Sequence, residues 1–184
     1  MSLSLLSFTA ICGEDGDFNI GQKAFSAQDY DKAFEAWLPL ANNGYIDAQV
    51  TIAFLYRTGS GTKKNIELSN YWYELAAKSG HLEAIYQLAE AYRLGDGYEK
   101  NTEKAKEYYV KSLCGGFLTS RHGLVALYQS GDLVPESEAR KGALDKEAEK
   151  LRDPAYFKYL VKKTRSNLDK NNGLSDCKSQ VLGE

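Results

Sequence analysis

What this chain lacks narrows it first. Its formal net charge is −2 over 184 residues, and the charges are spread without like-signed blocks. Such a chain has no field with which to gather nucleic acid. No apolar run nears the roughly 20 residues of a membrane span. There are two histidines, His81 and His122, neither placed beside a Cys or a carboxylate at metal-ligand spacing. No serine is framed as a nucleophile elbow. Gly59-Ser60-Gly61 and Gly95-Asp96-Gly97 follow apolar helical patterns rather than strands, which makes them turn glycines and not phosphate cradles. We therefore expect no enzyme, no metal site and no cofactor.

The three cysteines, Cys12, Cys114 and Cys177, follow no periodic spacing. Around the first of them, Ser4 to Cys12 (SLLSFTAIC) is apolar over the length of a signal-peptide core, and Ala10-Ile11-Cys12 gives it a small-x-small ending. No Lys or Arg precedes it. The segment reads as a signal-peptide remnant over residues 1–12, which places the protein in the periplasm or outside the cell; a cytoplasmic protein is the alternative.

What is present is a period. Gly44, Gly80 and Gly116 stand 36 residues apart, as do Tyr56, Tyr92 and Tyr128, and Gly59, Gly95 and Gly131. Self-similarity at that length marks a structural unit that buries its apolar face only against its neighbours. Within each unit the set Ala48, Ile52, Ala53 and Tyr56 recurs as Ala84, Leu88, Ala89 and Tyr92, one face of a helix. A second face follows: Ala33, Ala36, Trp37 and Ala41 recur as Ser69, Trp72, Tyr73 and Ala77, then as Ala105, Tyr108, Tyr109 and Leu113. Each unit is thus a helix pair. Gly59 and Gly95 stand where the first helix stops, and Asn65 and Asn101 where the second begins, with a side-chain oxygen ready to accept a free backbone N–H. The spacing predicts helices over 18–28, 30–42, 45–57, 66–79, 81–94, 102–114, 117–130, 136–152 and 154–169.

The stretches AQVTIAFLYRTGSGTKKNIELSNYWYELAAKSG and AIYQLAEAYRLGDGYEKNTEKAKEYYVKSLCGG resemble the Sel-one-like repeat, a relative of the tetratricopeptide repeat, over about residues 21–131. Ala53 and Ala89 replace a family Gly, Thr62 and Tyr98 a Val, and Asn65 and Asn101 an Asp. The resemblance implies an all-α fold, a right-handed α-α superhelical solenoid over residues 13–153, with units at about 18–43, 44–79, 80–115 and 116–153. Residues 154–184 form the end piece: Pro154 opens a capping helix with Phe157, Leu160, Val161, Thr164 and Leu168 on one face, followed by a tail.

With catalysis set aside, binding remains. In such a stack the first helices line the inner curve, and positions that differ between repeats mark the site. Val50, Phe54 and Arg57, then Glu83, Tyr86, Glu90 and Arg93, then His122 are the candidates for contact with a partner protein. Phe54 and Tyr86 stand out as aromatic; sideways packing on neighbouring helices is the alternative for each. The resemblance implies a protein-interaction scaffold or an adaptor of the cell envelope, monomeric when free, and for small exported relatives an immunity protein that neutralises a secreted lipase toxin. Cleavage after Cys12 would leave Cys114 and Cys177, an even number in an oxidising space, and these are the candidates for a disulfide.

Overall fold

The computed structural model describes residues 14–130 and, beyond them, Lys146, Glu149, Lys150, Arg152, Asp153, Ala155, Tyr156 and Tyr159. Among the described residues there are seven helices and no strand: α1 Glu14–Ser26, α2 Tyr30–Asn42, α3 Ile46–Thr58, α4 Ile66–Lys78, α5 Leu82–Leu94, α6 Thr102–Gly115 and α7 Ser120–Gln129. The expected helices over 136–152 and 154–169, with the capping face, lie largely outside the described residues.

Two ends differ from expectation. The first helix begins at Glu14, four residues early, and stops at Ser26; Gln28 then takes a left-handed φ of 62°, which turns the chain before Asp29. The seventh begins at Ser120 rather than 117. Gly116, at φ 106°, closes α6, and Ser120, Arg121 and His122 donate to the carbonyls three residues back, a tighter turn before the α-helix. The predicted caps are in place. Gly59 and Gly95 have φ 75° and 78°, where an added Cβ is strained. Asn65 Oδ1 accepts from Leu68 N and Asn101 Oδ1 from Lys104 N, both at 2.9 Å.

The chain forms two compact units, Met1–Ala76 and Ala77–Glu184. In the first, α2 packs on α1 and α3. Trp37 is the pivot: its Nε1 donates to Phe18 O at 3.1 Å, and the rings of Phe18 and Phe25 lie 5.6 and 5.8 Å away. Gly21 admits the indole, since a Cβ there would stand 2.7 Å from Trp37 Cδ1. The α3–α4 loop presses on the start of α2 at Gly61 (φ 67°), where a Cβ would overlap the Tyr30 carbonyl and stand 2.8 Å from Asp31 N.

In the second unit α5, α6 and α7 pack on one another around Ala89, Ala105, Tyr109, Val110, Leu113, Cys114, Leu124, Leu127 and Tyr128. Ser112 Oγ donates to Leu82 O at 2.7 Å and ties α6 to the first turn of α5. Ser69 and Ser120, which take alanine positions of the repeat, are buried with hydroxyls that find no partner.

Candidate functional site

The candidate residues of the first unit lie on α3, with side chains that differ in what they touch. Val50 and Arg57 are half-buried. Phe54 is 42% exposed, large for a helix that already buries Ala48, Ile52, Ala53 and Leu55 on its core side. It meets Phe25 with ring centroids 6.3 Å apart, and a substantial part of it faces solvent. Phe54 therefore combines both readings of the sequence, with a sideways contact fixing the ring and an uncovered surface left over.

In the second unit the candidates gather around a residue that sequence reasoning assigned to the core alone. Tyr109, wholly buried on α6, donates its hydroxyl to Glu90 Oε1. Glu90 Oε2 accepts from Arg93 Nη2 at 2.6 Å and Nε at 3.1 Å, and Arg93 Nε also lies 3.2 Å from the Tyr109 oxygen. Burial holds the Tyr109 phenol far above its usual range, and the Glu90 carboxylate adds to the shift because a phenolate beside it would be repelled. The hydrogen bonds that Arg93 donates to Glu90 hold its guanidinium above its usual value. The result is a part-buried polar latch between α5 and α6. Tyr86 covers it, its ring 5.9 Å from that of Tyr109 and 5.4 Å from Phe117.

Gly123 of α7 closes the other side. A Cβ there would lie 2.5 Å from Tyr109 Cζ, so the helix can approach only with a hydrogen at that position. Glu83 on α5 and His122 on α7 remain exposed. The structure thus brings Tyr86, Glu90 and Arg93 together around Tyr109 and leaves Glu83 and His122 on the surface. The signal for Tyr109 was its place in the recurrent pattern; the signal for its hydroxyl partner was 19 residues away and not visible.

His81 has a structural task. Its Nδ1 accepts from Ala84 N at 3.3 Å and so caps α5. Among the described residues no group of three or more His, Cys, Asp and Glu could hold a metal, and no helix is long and apolar enough to cross a membrane. Cys114, buried at the end of α6, is disulfide-bonded. Cys177, its expected partner, lies outside the described residues.

Comparison with known proteins follows the same geometry. The Sel1 repeat family matches residues 46–81 and 82–117. A protective antigen of uropathogenic Escherichia coli that displays an SLR fold is similar in structure, with a TM-score of 0.61 and 27% identity, over 64% of this chain and 26% of that one. A Sel1 repeat protein of Oxalobacter formigenes is similar with a TM-score of 0.54 and 28% identity, over 60% of this chain and 86% of that one. The chain spans about a quarter of the length of the E. coli antigen. A search of curated proteins returned no match. Two stretches, residues 46–81 and 82–117, match the Sel1 repeat, and the all-α fold of the described residues is consistent with the α-α solenoid of the SLR-fold proteins it resembles.

Proposed function

We propose that this chain, which carries two Sel1 repeats, is a non-catalytic protein-binding module that engages its partner through the first helices of those repeats. Sel1 repeats are typically protein-interaction modules. The observation that carries the reading is Phe54: a ring 42% exposed, braced by Phe25, at a position where the next repeat has Glu90 turned into its own packing. A braced aromatic with an uncovered face loses little rotamer freedom when a partner covers it. Arg57, three residues on along α3, is the charge that sets register and encounter rate around such an anchor. The test is affinity capture from the native organism with the wild-type chain and with Phe54→Ala, whose fold is checked by melting. A protein recovered by the first and lost by the second supports the reading; recovery by both at equal yield overturns it.

Within that class, a periplasmic immunity role against a secreted toxin is the finer reading. Its support is the disulfide at Cys114, since such bonds persist in oxidising compartments, together with the apolar stretch Ser4–Cys12. Titrating the purified chain into a lipase encoded beside its gene should suppress hydrolysis at a one-to-one ratio. Undiminished hydrolysis at excess chain would return the protein to the general class of envelope adaptors.

A further inference from the structure

The outward face of α4 is out of keeping with the other second helices. In α2 the three positions at i, i+3 and i+7 are Lys32, Glu35 and Pro39, and in α6 they are Lys104, Glu107 and Lys111, all exposed and mostly charged, as a solvated helix face requires. In α4 the same positions are Leu68, Tyr71 and Leu75. Leu68 is 40% and Tyr71 53% exposed, and Leu75 is half-buried. Core packing does not require them, because α4 buries Ser69, Asn70, Trp72, Tyr73, Ala76 and Ala77 on its opposite side. An apolar stripe rimmed by charge is the signature of a contact surface.

The charges along its edge say what covers it. Glu67 and Lys78 are exposed, lie on the same edge of the stripe at 100° per residue, and sit at its two ends. In a helix pair packed parallel about a dyad, the same edge of each helix falls on opposite sides of the seam, so Glu67 and Lys78 would find no counterpart across it. A second α4 packed antiparallel about a dyad near residues 71 and 72 sets Leu68 beside the partner's Leu75 and Tyr71 beside its own counterpart. It also brings Glu67 within about 3 Å of axial offset from the partner's Lys78, at a rise of about 1.5 Å per residue, and does so twice by symmetry. The face is complementary to itself in one orientation only.

We propose that this stripe is a self-association surface, through which two copies of the chain pair α4 against α4 antiparallel. The uncovered parts of Leu68 and Tyr71 come to on the order of 200 Å², against roughly 800 Å² per partner in a standard interface. The pairing is therefore weak and reversible, with a dissociation constant on the order of 100 μM. It uses residues of a second helix, none of which is among the first-helix residues proposed for the partner protein.

Sedimentation equilibrium of the full chain between about 10 μM and 1 mM should show monomer passing to dimer at that scale. Tyr71→Glu should weaken association at least about tenfold with an unchanged circular-dichroism spectrum. Glu67→Lys and Lys78→Glu should each weaken it about threefold to fivefold, and the double reversal should restore it to within about twofold. A monomer at every concentration overturns the proposal, whether the stripe is then covered by later residues of the same chain or by another protein. Dimerisation indifferent to Tyr71→Glu overturns the surface, and a double reversal that fails to restore overturns the antiparallel pairing.

Discussion

Tyr109→Phe removes one oxygen from the latch and nothing else. The ring stays between Tyr86 and Gly123, so no cavity opens, and the change isolates the hydroxyl. Glu90 keeps both bonds from Arg93, and its side chain is 15% exposed, so the carboxylate is not stranded. A hydrogen bond to a charged acceptor contributes about 1.5–3 kcal/mol, and the retained Arg93 partner puts this one near the lower end, about 1–2 kcal/mol. In a chain of this length that is a fall in melting temperature of roughly 3–6 °C.

The pH dependence is the more specific signature. The folded phenol holds its proton to higher pH than the unfolded one, whose pKa is about 10. Below that value the contribution to stability is fully present. Above it the unfolded chain binds fewer protons than the folded, and stability falls by about 1.4 kcal/mol per pH unit for this one group. Urea unfolding of the wild type and Tyr109→Phe at pH 8, and at steps from pH 9.5 to 11, should show two curves converging as pH rises. Equal stability at pH 8, or curves falling in parallel, would refute the latch.

Three further outcomes follow from contacts already described. Gly123→Ala should destabilise by about 1–3 kcal/mol in urea unfolding, because its methyl group meets a ring that the latch prevents from moving; an unchanged midpoint would mean α7 shifts freely. Phe54→Ala should lower partner affinity by about 1–2 kcal/mol in calorimetry with little loss of stability, whereas Tyr86→Ala should lower stability too, its ring being packed on Tyr109 and Phe117. Ser69→Ala should stabilise by about 1 kcal/mol in thermal unfolding, since it removes a buried hydroxyl without a partner from a position where other repeats carry Ala.

The helices were legible because their apolar positions repeat at a fixed interval, and because Gly59, Gly95, Asn65 and Asn101 each act through a local rule that needs no tertiary knowledge. Phe117 and Leu118 misled, as apolar residues that extend a helical pattern in sequence while Gly116 has already reversed the chain. The latch was not legible at all. Glu90 and Arg93, three apart on one helix, look like an ordinary solvated pair, and only the approach of α6 supplies the phenol that turns them inward. The α4 stripe was visible as three letters out of keeping with their counterparts, but hydrophobic residues at helical spacing read as core until their exposure is known.

The latch has a consequence for how duplicated units can diverge. The first full repeat keeps the counterparts of two of its members, Arg57 for Arg93 and Tyr73 for Tyr109, and replaces the third, Glu90, with Phe54. One unit commits that position to holding its own helices together; the other is released from the commitment and can spend it on recognition. With Phe54 as the proposed anchor, grafting the second repeat's sequence over the first should yield a sturdier chain that no longer binds its partner. Copying the first over the second would set a phenylalanine beside Tyr109, whose buried hydroxyl would then have no carboxylate to meet.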